Sequence, residues 1–423
     1  MLSKIKNFVD TEDKKRLLSN FFSLAFLQGA NYILPLITFP YLVRVIGIEY
    51  FGLLAFASAT IAYFNILIDY GFNLTATREI STHRNNKEKV IEVFSSVMTI
   101  KLILMFIALI LLSILIFCFE KFSEYWYIYY LTFGTVIGQF LFPVWLFQGM
   151  EKMKFITYLN ITSKLFSTIA IFVFIHQRED FYLVPIFTSI GFIVAGIASW
   201  IIANKEFSIC YKLQTTNKLI FYVKKGWHIF VASLSGNLYG QGNTIILGLF
   251  TTPAIVSYYS VGAKMASAIT SLFLVVSQTI FPYLVKLKNE NFDTFKYFIK
   301  KLFMYVSLAN ITLIGALICI SDDVYTLITG MQNEIGFYSF SFWLVIAFLT
   351  IYNVVLNPII VSLKQDKFMS KMYLFIGISF VVFGSFLTYK FGYKGMLFAM
   401  LTVEVFIFIF SIISIKLAIT RKY

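Results

Sequence analysis

The stretch YYSVGAKMASAITSLFLVVSQTIFPYLVK, residues 258–286, contains one charged side chain, Lys264, before it closes at Lys286. An apolar run of this length can cross the hydrocarbon core of a bilayer, about 30 Å thick, as a single helix. The composition of the whole chain is similar: 59% of its 423 residues are hydrophobic and 13% are charged. Soluble domains carry about 25% charged residues. The sequence therefore predicts an integral membrane protein.

Further runs of the same kind lie on both sides of this stretch. Since about 18 to 25 apolar residues suffice for a transmembrane helix, we predict an all-α polytopic membrane protein with twelve spans. The turn composition TTP at 251–253 separates the seventh span from the eighth. The predicted spans are 18–42, 51–70, 95–118, 125–148, 156–176, 181–203, 227–250, 254–282, 302–320, 336–361, 372–389 and 394–415.

The basic residues predict the orientation of these spans. Cytoplasmic loops are enriched in Lys and Arg. With a cytoplasmic N-terminus, the inner segments hold 27 basic residues and the outer segments hold 5. Both termini are therefore expected in the cytoplasm, and the net charge of +14 reflects topology rather than a nucleic-acid partner. Three lysines remain inside predicted spans: Lys101, Lys164 and Lys264.

No pattern in the sequence indicates an enzyme. The three cysteines, Cys118, Cys210 and Cys319, are scattered and form neither a disulfide framework nor a metal motif. We find no nucleotide-binding motif, no cluster of metal ligands and no nucleophile–base pair. The predicted outer loops are too short to hold the acceptor of a membrane polymerase or transferase. We therefore expect no catalytic activity and no cofactor.

Two span ends are similar to each other. The segments LFPVWLFQGMEKMKFITYL (141–159) and LNPIIVSLKQDKFMSKMYL (356–374) match at a constant offset of 215, including Pro143 with Pro358. They end spans four and ten, and an even separation gives a parallel repeat about an axis along the membrane normal. This predicts two six-helix bundles, residues 1–212 and 213–423, with a central cavity. Chance similarity between two basic span ends is the alternative.

Four segments of the chain match a known pattern: NYILPLITFPYLVRVIGIEYFGLLAFA (31–57), DYGFNLTATREIS (69–81) and PVWLFQGMEKMK (143–154), with YSVGAKM (259–265) as a looser match. Together they resemble the polysaccharide flippases (Wzx-type O-antigen flippases) of the multidrug/oligosaccharidyl-lipid/polysaccharide exporter superfamily. Family members often have an acidic residue just before the lysine of the last motif, where this chain has the neutral GAK.

The resemblance implies a function and a location. Such proteins move undecaprenyl-pyrophosphate-linked oligosaccharide, such as an O-antigen repeat unit, from the inner to the outer leaflet of the bacterial inner membrane. They are thought to work by alternating access, with coupling to H⁺ or Na⁺ as an open option. Expected partners are therefore the lipid-linked cargo and the bilayer, and in addition the polysaccharide polymerase and the chain-length regulator.

The most deeply placed charges are the first candidates for binding. Lys264 lies about 15 Å along its helix from the predicted outer end, near the midplane. An ionisable residue at this depth tends to face a cavity or a partner, so we predict that Lys264 attracts the pyrophosphate or an acidic sugar. Snorkelling or a structural pair is the alternative. Glu404 lies at a matching depth, and could pair with Lys264, bind the coupling ion or form a structural salt bridge.

Four more charged residues are candidates. Lys101 and Lys164 lie nearer the predicted cytoplasmic ends, where they could receive the diphosphate or snorkel to the interface. Arg44, at the predicted outer end of span one, is either a release contact for phosphate or an ordinary interfacial arginine. For Asp69, beside Gly71, we favour anchoring the following turn over contact with the cargo.

Uncharged polar residues concentrate in spans one and seven. Asn31, Asn237 and Gln241 are predicted to bind saccharide, together with Gln28, Tyr32, Tyr239 and Asn243. Hydrogen bonds between helices are the alternative role. Both spans also contain helix-weakening residues and are predicted to bend during transport: Pro35, Pro40, Gly236, Gly240 and Gly242.

A multidrug or cation exporter of the same fold is the main alternative function. A site for organic cations needs unpaired carboxylates, whereas the predicted in-span charges are three lysines against Asp69 and Glu404. This balance favours an anionic cargo. A flippase for cell-wall precursors is chemically close, but those relatives usually have two further helices.

Overall fold

The computed structural model describes residues 12–420, with side chains for 29–31, 33–365 and 368–420. Over this range the chain is helical and contains no β-strand. A 3₁₀ turn covers Arg178–Tyr182. The α-helices are α1 (Glu12–Asp69), α2 (Phe72–Thr82), α3 (Lys87–Cys118), α4 (Glu120–Ser123), α5 (Trp126–Leu141), α6 (Val144–Gly149), α7 (Met153–Phe174), α8 (Leu183–Phe207), α9 (Thr216–Gly240), α10 (Gly242–Phe250), α11 (Pro253–Glu290), α12 (Phe292–Cys319), α13 (Ser321–Thr329), α14 (Glu334–Ser362) and α15 (Asp366–Thr420).

The helices confirm the all-α polytopic fold class. Among the described residues, nine helical stretches are long and apolar enough to cross a membrane. Two of these stretches contain a break, at Gly47 (φ 80°, ψ 168°) and at Gly392 (φ 57°, ψ −137°), so each supplies two predicted spans. The span predicted at 227–250 corresponds to α9 and α10, which are separated at Gln241. Each of the twelve predicted spans therefore has a helical counterpart.

Glycine occupies the breaks at 47 and 392 because a residue without Cβ tolerates positive φ. Proline has a less uniform effect. The turn predicted at TTP is present, since α10 ends at Phe250 and α11 begins at Pro253. Pro143 separates α5 from α6, whereas its counterpart Pro358 lies inside the continuous helix α14. A proline can remain in a membrane helix when neighbouring groups satisfy the freed carbonyl.

The described chain forms two compact units. The first, unit 1, contains the described residues up to Phe39 together with Thr60–Leu234, and unit 2 contains Pro40–Ala59 together with Ser235–Tyr423 as far as it is described. Helix α1 therefore contributes to both units. The predicted six-helix bundles divide the chain differently, near residue 212, and these bundles and their repeat stay predictions.

In unit 1, small residues bring the helix of the fourth span close to that of the sixth. A Cβ added at Gly138 would lie 2.5 Å from the Cβ of Phe192. The Ser189 hydroxyl donates to the carbonyl of Leu131 at 2.7 Å. Small side chains of this kind allow helices to approach closely in a membrane, where the hydrophobic effect between helices is absent. Helices α5 and α8 are accordingly packed along their length.

In unit 2, the helix of the eighth span packs on that of the tenth in a similar manner. Gly262 of α11 faces the backbone of Phe340 and the ring of Trp343, both at 3.0–3.3 Å from an added Cβ. The Ser277 hydroxyl donates to the carbonyl of Val354 at 2.8 Å. Helix α14 also packs on α15, which contains the last two predicted spans. Unit 2 is thus built around α14.

In each unit a basic side chain binds a carbonyl at the C-terminal end of a helix, which is α6 in unit 1 and α14 in unit 2. In unit 1, Nε of Arg84 donates to the last-turn carbonyl of Gly149 at 3.1 Å. In unit 2, Nζ of Lys288 donates to the carbonyl of Ser362, the last residue of α14. Basic side chains satisfy the free carbonyls at helix C-termini and interact favourably with the helix dipole. In unit 1 the basic residue follows α2, which packs on α6, and in unit 2 it lies near the end of α11, which packs on α14.

Gly52 provides a test of this packing. A Cβ at this position would lie 1.8 Å from the carbonyl oxygen of Pro253. We expect Gly52→Ala to lower the free energy of unfolding by about 1–3 kcal/mol or more, because backbone would have to move. Thermal unfolding of the purified protein in detergent measures this loss.

The matched control is Gly315→Ala, since an added Cβ at Gly315 meets no atom within 4 Å. This control should unfold at or slightly above the wild-type temperature, because Ala is the better helix former. Equal stability of the two variants would contradict the described packing of residues 40–59.

Candidate functional site

Lys264 is positioned by a tightly packed segment of α11. Gly262, Met265 and Ala266 are buried in unit 2, whereas the side chain of Lys264 is exposed. Its ammonium lies 4.8 Å from the centre of the Phe51 ring, which is itself only 4% exposed. A cation over an aromatic face is stabilised by the ring quadrupole, most strongly when water is excluded. No ion pair involves Lys264 within the described residues.

Glu404 is bound by an amide rather than by a lysine. Its side chain is 7% exposed, and Nδ2 of Asn353 donates to its Oε2 at 2.6 Å and to its backbone carbonyl at 3.0 Å. Thr350, one turn before Asn353 on α14, also hydrogen-bonds the carboxyl group. The pair between Lys264 and Glu404, one of the predicted roles, is therefore not formed in this structure.

Two tyrosines lie beside this carboxyl group. The rings of Tyr239 on α9 and Tyr373 on α15 stack with centroids 6.5 Å apart and an angle of 7°. Both are close enough to Glu404 to interact with it electrostatically. Since Oδ1 of Asn353 is buried and has no hydrogen-bond partner, the site can accept one further donor or a cation. Its chemistry is that of a carboxylate surrounded by neutral oxygen and amide groups.

In unit 1 the structure brings two of the predicted binding residues together. Nζ of Lys164 on α7 donates to Oδ1 of Asn31 on α1 at 2.5 Å. The lysine is half-buried, and the remaining N–H groups of its ammonium and the Asn31 amide N–H groups stay available as donors. A pair of this composition can bind either a phosphate oxygen or a sugar hydroxyl. The side chains of Gln28 and Tyr32 lie outside the described residues.

Lys101 and Asp69 form a second polar cluster in unit 1. Lys101 is 1% exposed, and its ammonium donates to the carbonyl of Gln139 at 3.1 Å. It interacts electrostatically with Asp69, which accepts a hydrogen bond from the backbone N–H of Gly71. Gly71 adopts a left-handed conformation and caps α2. The carboxylate thus holds the turn, which is the structural role favoured for it, and Lys101 is closed to any cargo in this conformation.

Arg44 contacts the end of a short helix in unit 2. One of its guanidinium N–H groups donates to the carbonyl of Leu327 in the last turn of α13. Gly330, the left-handed C-cap of α13, faces the Arg44 side chain, since an added Cβ would lie 3.3 Å from Nε. The arginine therefore caps a helix, and its side chain remains exposed. Its predicted role in releasing phosphate stays a prediction.

Asn237 and Gln241 lie where the seventh predicted span is interrupted. The backbone N–H of Gln241 donates to the carbonyl of Asn237 at 3.1 Å, and Gln241 separates α9 from α10. The Gln241 side chain is exposed, and that of Asn237 is half-buried. Asn243, in contrast, is buried and donates to the carbonyls of Tyr239 and Gly240. The predicted weak point of this span is thus a real interruption, stabilised by a local amide.

The sequence-based prediction missed the partners of the charged residues. Phe51, Thr350, Asn353 and Tyr373 contact or surround Lys264 and Glu404. Asn353 gave a detectable signal, because it is a polar residue in the middle of an apolar span. Phe51 gave none, since it is one of 49 phenylalanines.

Comparison with known proteins identifies the family. The family model described as "Polysaccharide biosynthesis protein" matches residues 17–288. The chain belongs to this family. Two relatives carry the name "Putative O-antigen transporter". The one from Escherichia coli K12 is 34% identical over 270 residues, 64% of this chain and 65% of that protein. The one from Shigella dysenteriae is 26% identical over 404 residues, 94% of this chain and 99% of that protein.

Solved structures show the same fold for this member of the polysaccharide biosynthesis family. The lipid II flippase MurJ in an inward closed conformation superposes with a TM-score of 0.72 and 13% identity, covering 94% of this chain and 87% of that one. An inward-facing multidrug resistance MATE family transporter of the MOP superfamily gives 0.67 and 13%, covering 92% and 94%. Both similarities concern the fold. The names of the two relatives, O-antigen transporters, agree with the prediction that the chain is not an enzyme.

Arg44 offers a test that separates its structural role from a role in transport. We expect Arg44→Ala to lower the free energy of unfolding by about 1–3 kcal/mol, because a carbonyl loses its charged donor. Thermal unfolding in detergent measures this effect. Arg178→Ala, which removes an exposed arginine without a described contact, is the control and should not change the unfolding temperature. Unchanged stability of Arg44→Ala with reduced export of polysaccharide would instead assign Arg44 to the cargo.

Proposed function

We propose that the chain is a flippase for an undecaprenyl-pyrophosphate-linked oligosaccharide, an O-antigen or similar repeat unit. It moves the head group from the inner to the outer leaflet of the bacterial inner membrane, in which both termini face the cytoplasm. The proposal is supported by membership of the polysaccharide biosynthesis family and by relatives named as O-antigen transporters. The site alternates between access from the inner and from the outer side. The polysaccharide polymerase and the chain-length regulator are proposed partners.

The side chain of Lys264, which is exposed and has no ion pair among the described residues, is the observation that carries this proposal. A charge near the bilayer midplane is too costly to face lipid, and Lys264 is exposed on α11 with no ion pair among the described residues. It therefore faces an aqueous path. The Phe51 ring, whose centre lies 4.8 Å from Nζ, stabilises the ammonium by a cation–π contact. An ammonium on such a path attracts an anionic head group and repels an organic cation. This favours a diphosphate cargo over the cation-exporter alternative.

Unit 1 supplies a second set of donors for the same cargo. The Lys164 and Asn31 pair combines an ammonium with an amide, which suits a sugar phosphate better than a simple ion. Asn237 and Gln241 add amide groups at the interruption of the seventh span. Amides bind saccharide hydroxyls through paired donors and acceptors. Lys101 would contribute only in a conformation that exposes it, since it is buried here.

Glu404 is proposed as the residue that couples transport to H⁺ or Na⁺. Its carboxyl group is buried beside Asn353 and has no basic partner within the described residues. A buried carboxylate without a counter-ion costs several kcal/mol, so protonation or binding of a cation stabilises it. The free Oδ1 of Asn353 is a suitable second ligand for a sodium ion. No other cofactor is needed.

The role of Lys264 can be tested in cells that depend on this chain for surface polysaccharide. We expect Lys264→Ala to reduce export about ten- to hundredfold, since it removes a charged hydrogen-bond donor worth about 1.5–3 kcal/mol. Lys264→Glu should reduce export further because it repels the diphosphate. The measurements are the amount of surface polysaccharide and the accumulation of lipid-linked repeat units on the inner face.

Lys390→Ala is the matched control. The Lys390 ammonium also lies over an aromatic ring, 4.9 Å from the centre of Phe386, but Lys390 belongs to a predicted outer loop rather than to a span. Export by this control should equal that of the wild type. Full-length polysaccharide at normal levels in both Lys264 variants would disprove the phosphate-attracting role. Resistance to cationic drugs that depends on the chain would support the exporter alternative.

Ion coupling predicts a specific behaviour for Glu404→Gln. Glutamine keeps the size of the side chain and an oxygen that can accept from Asn353, but it neither binds a proton nor carries a charge. We expect transport to become independent of an imposed H⁺ or Na⁺ gradient and to slow by about 5–150-fold, the usual range of coupling between two sites. Purified protein in liposomes, with lipid-linked oligosaccharide followed on the outer leaflet, provides the measurement.

The exposed first-turn carboxylate Glu334 serves as the control for this experiment. Transport by Glu334→Gln should still respond to the gradient. A full gradient response in Glu404→Gln would show that the Glu404 and Asn353 pair only holds α14 to α15.

A further inference from the structure

A cavity of about 320 Å³ opens on the surface of unit 1, away from the in-span residues described above. Three segments form it: the first turns of α3, the connecting segment 208–215, and the first turns of α9. Three lysines line the cavity, namely Lys89, Lys212 and Lys218, against the two carboxylates of Glu88 and Glu92. The cavity has a net positive charge, and neither the repeat nor the proposed transport path uses it.

Glu92 at this cavity accepts from three donors. Its Oε1 accepts from Lys89 at 2.5 Å and from the Tyr222 hydroxyl at 3.1 Å, and its Oε2 lies 2.8 Å from Nζ of Lys218. These contacts tie α9 to α3. Three of the roughly four acceptor positions of the carboxylate are occupied, and Glu92 thereby positions the ammonium groups of Lys89 and Lys218.

Lys212 is the third ammonium, and it has no such partner. Its backbone is fixed, since the N–H donates to the Ser95 hydroxyl at 3.0 Å and the carbonyl accepts from the Gln214 side chain at 2.9 Å. The neighbouring Tyr211 hydroxyl is also bound, 2.8 Å from the Thr99 hydroxyl. The Lys212 ammonium itself makes no hydrogen bond or ion pair with the described residues. An anchored backbone thus presents a free positive charge at the cavity.

The beginning of α3 adds to the positive field. The Asn86 side chain accepts from the backbone N–H of Lys89 and caps this helix of 32 residues. The N-terminus of a long helix carries about half a positive charge from its aligned peptide dipoles. A phosphate anion at the cavity would therefore be attracted by a free ammonium, two positioned ammonium groups and a helix end together.

The surroundings of the cavity indicate which molecule carries that phosphate. Leu213, next to Lys212, is 86% exposed, and Phe221, one turn after Lys218 on α9, is also exposed. Exposed apolar and aromatic side chains beside lysines are typical of a membrane interface. Lys89 and Lys218 precede the predicted spans 95–118 and 227–250 by about 9–14 Å along their helices. This is the level of lipid head groups rather than of bulk solvent.

We propose that this cavity binds the phosphate of an anionic membrane phospholipid, with Lys212 as its main contact. The acyl chains of the lipid lie along the exposed apolar side chains of the segment 208–215 and of α9. A free phosphate or diphosphate ion is also anionic but gains nothing from Leu213 and Phe221. The site is independent of the proposed cargo, and its occupancy ties the segment that joins α8 to α9 to the membrane surface.

The experiment uses the full-length protein in nanodiscs of zwitterionic phosphatidylcholine, with and without phosphatidylglycerol, and follows thermal unfolding and lipid retention by native mass spectrometry. We expect phosphatidylglycerol to stabilise the wild type and to be retained preferentially. Lys212→Ala should weaken retention about fivefold, since a lysine near an anionic surface contributes about 1 kcal/mol. Glu88→Gln, which removes the exposed carboxylate of the cavity without a described contact, should strengthen retention by a similar factor.

Lys224→Ala is the control, because Lys224 is an exposed lysine of α9 that does not line the cavity. Its retention of phosphatidylglycerol should equal that of the wild type. Equal losses in Lys212→Ala and Lys224→Ala would show general surface attraction and overturn the site. Inorganic pyrophosphate that stabilises the wild type in phosphatidylcholine nanodiscs, but not Lys212→Ala, would replace the phospholipid by a soluble phosphate and overturn the proposed occupant.

Discussion

The scarcity of water in the bilayer core is the constraint on which the rest of the structure depends. A polar group in hydrocarbon must find its partner inside the protein, because an unsatisfied hydrogen-bonding group costs several kcal/mol. Helices meet this requirement for the backbone. Each polar side chain needs its own partner. Glu404 accepts a hydrogen bond from Asn353, and the ammonium groups of Lys164 and Lys101 donate to Asn31 and to the carbonyl of Gln139. The in-span charges are therefore held by neutral amides and carbonyls more often than by opposite charges.

The same constraint shapes the ends and contacts of the helices. Gly149 and Ser362 end helices whose last carbonyls are free, and Arg84 and Lys288 satisfy these carbonyls from a neighbouring element. Between helices, serine hydroxyls donate to carbonyls across the contact, as Ser189 does in unit 1. Small residues make such contacts possible because they let the backbones approach. Close packing in this protein is thus a way of satisfying backbone groups as well as of filling space.

Hydropathy predicted the helices well because the bilayer imposes their length and composition. The twelve spans have helical counterparts, and the breaks at Gly47 and Gly392 fall between predicted spans. The partners of the charges were less predictable, since they depend on which helix faces match. Lys264 and Glu404 lie at the same predicted depth, which suggested that they pair. Depth does not show which helix faces are in contact, and in the structure the partner of Glu404 is Asn353. The contact of Asp69 with Gly71 is easier to anticipate from sequence, because the two residues are only two positions apart.

Lys101 and Lys264 show how much the surroundings decide the role of a buried lysine. Both lie in apolar spans, yet Lys101 is 1% exposed and bonded to a carbonyl, whereas Lys264 is exposed over a ring. A bonded ammonium with no access contributes to the fold, and an accessible ammonium without an ion pair is available for a ligand. Sequence places the two in the same class. Only the packing around each one separates them.

The segment 40–59 explains how Lys264 comes to be supported in this way. It belongs to unit 2, although the chain on both sides of it belongs to unit 1. Three of its contacts within unit 2 matter here: Arg44 caps α13, Phe51 lies at the Lys264 ammonium, and Gly52 packs on the carbonyl of Pro253. The left-handed Gly47 turns the chain between the first and second of these contacts. Phe51 is the neighbour of Gly52 in sequence, so the tight contact of Gly52 with Pro253 fixes the position of the Phe51 ring. A residue encoded near the start of the chain thereby sets the environment of a lysine more than 200 positions later.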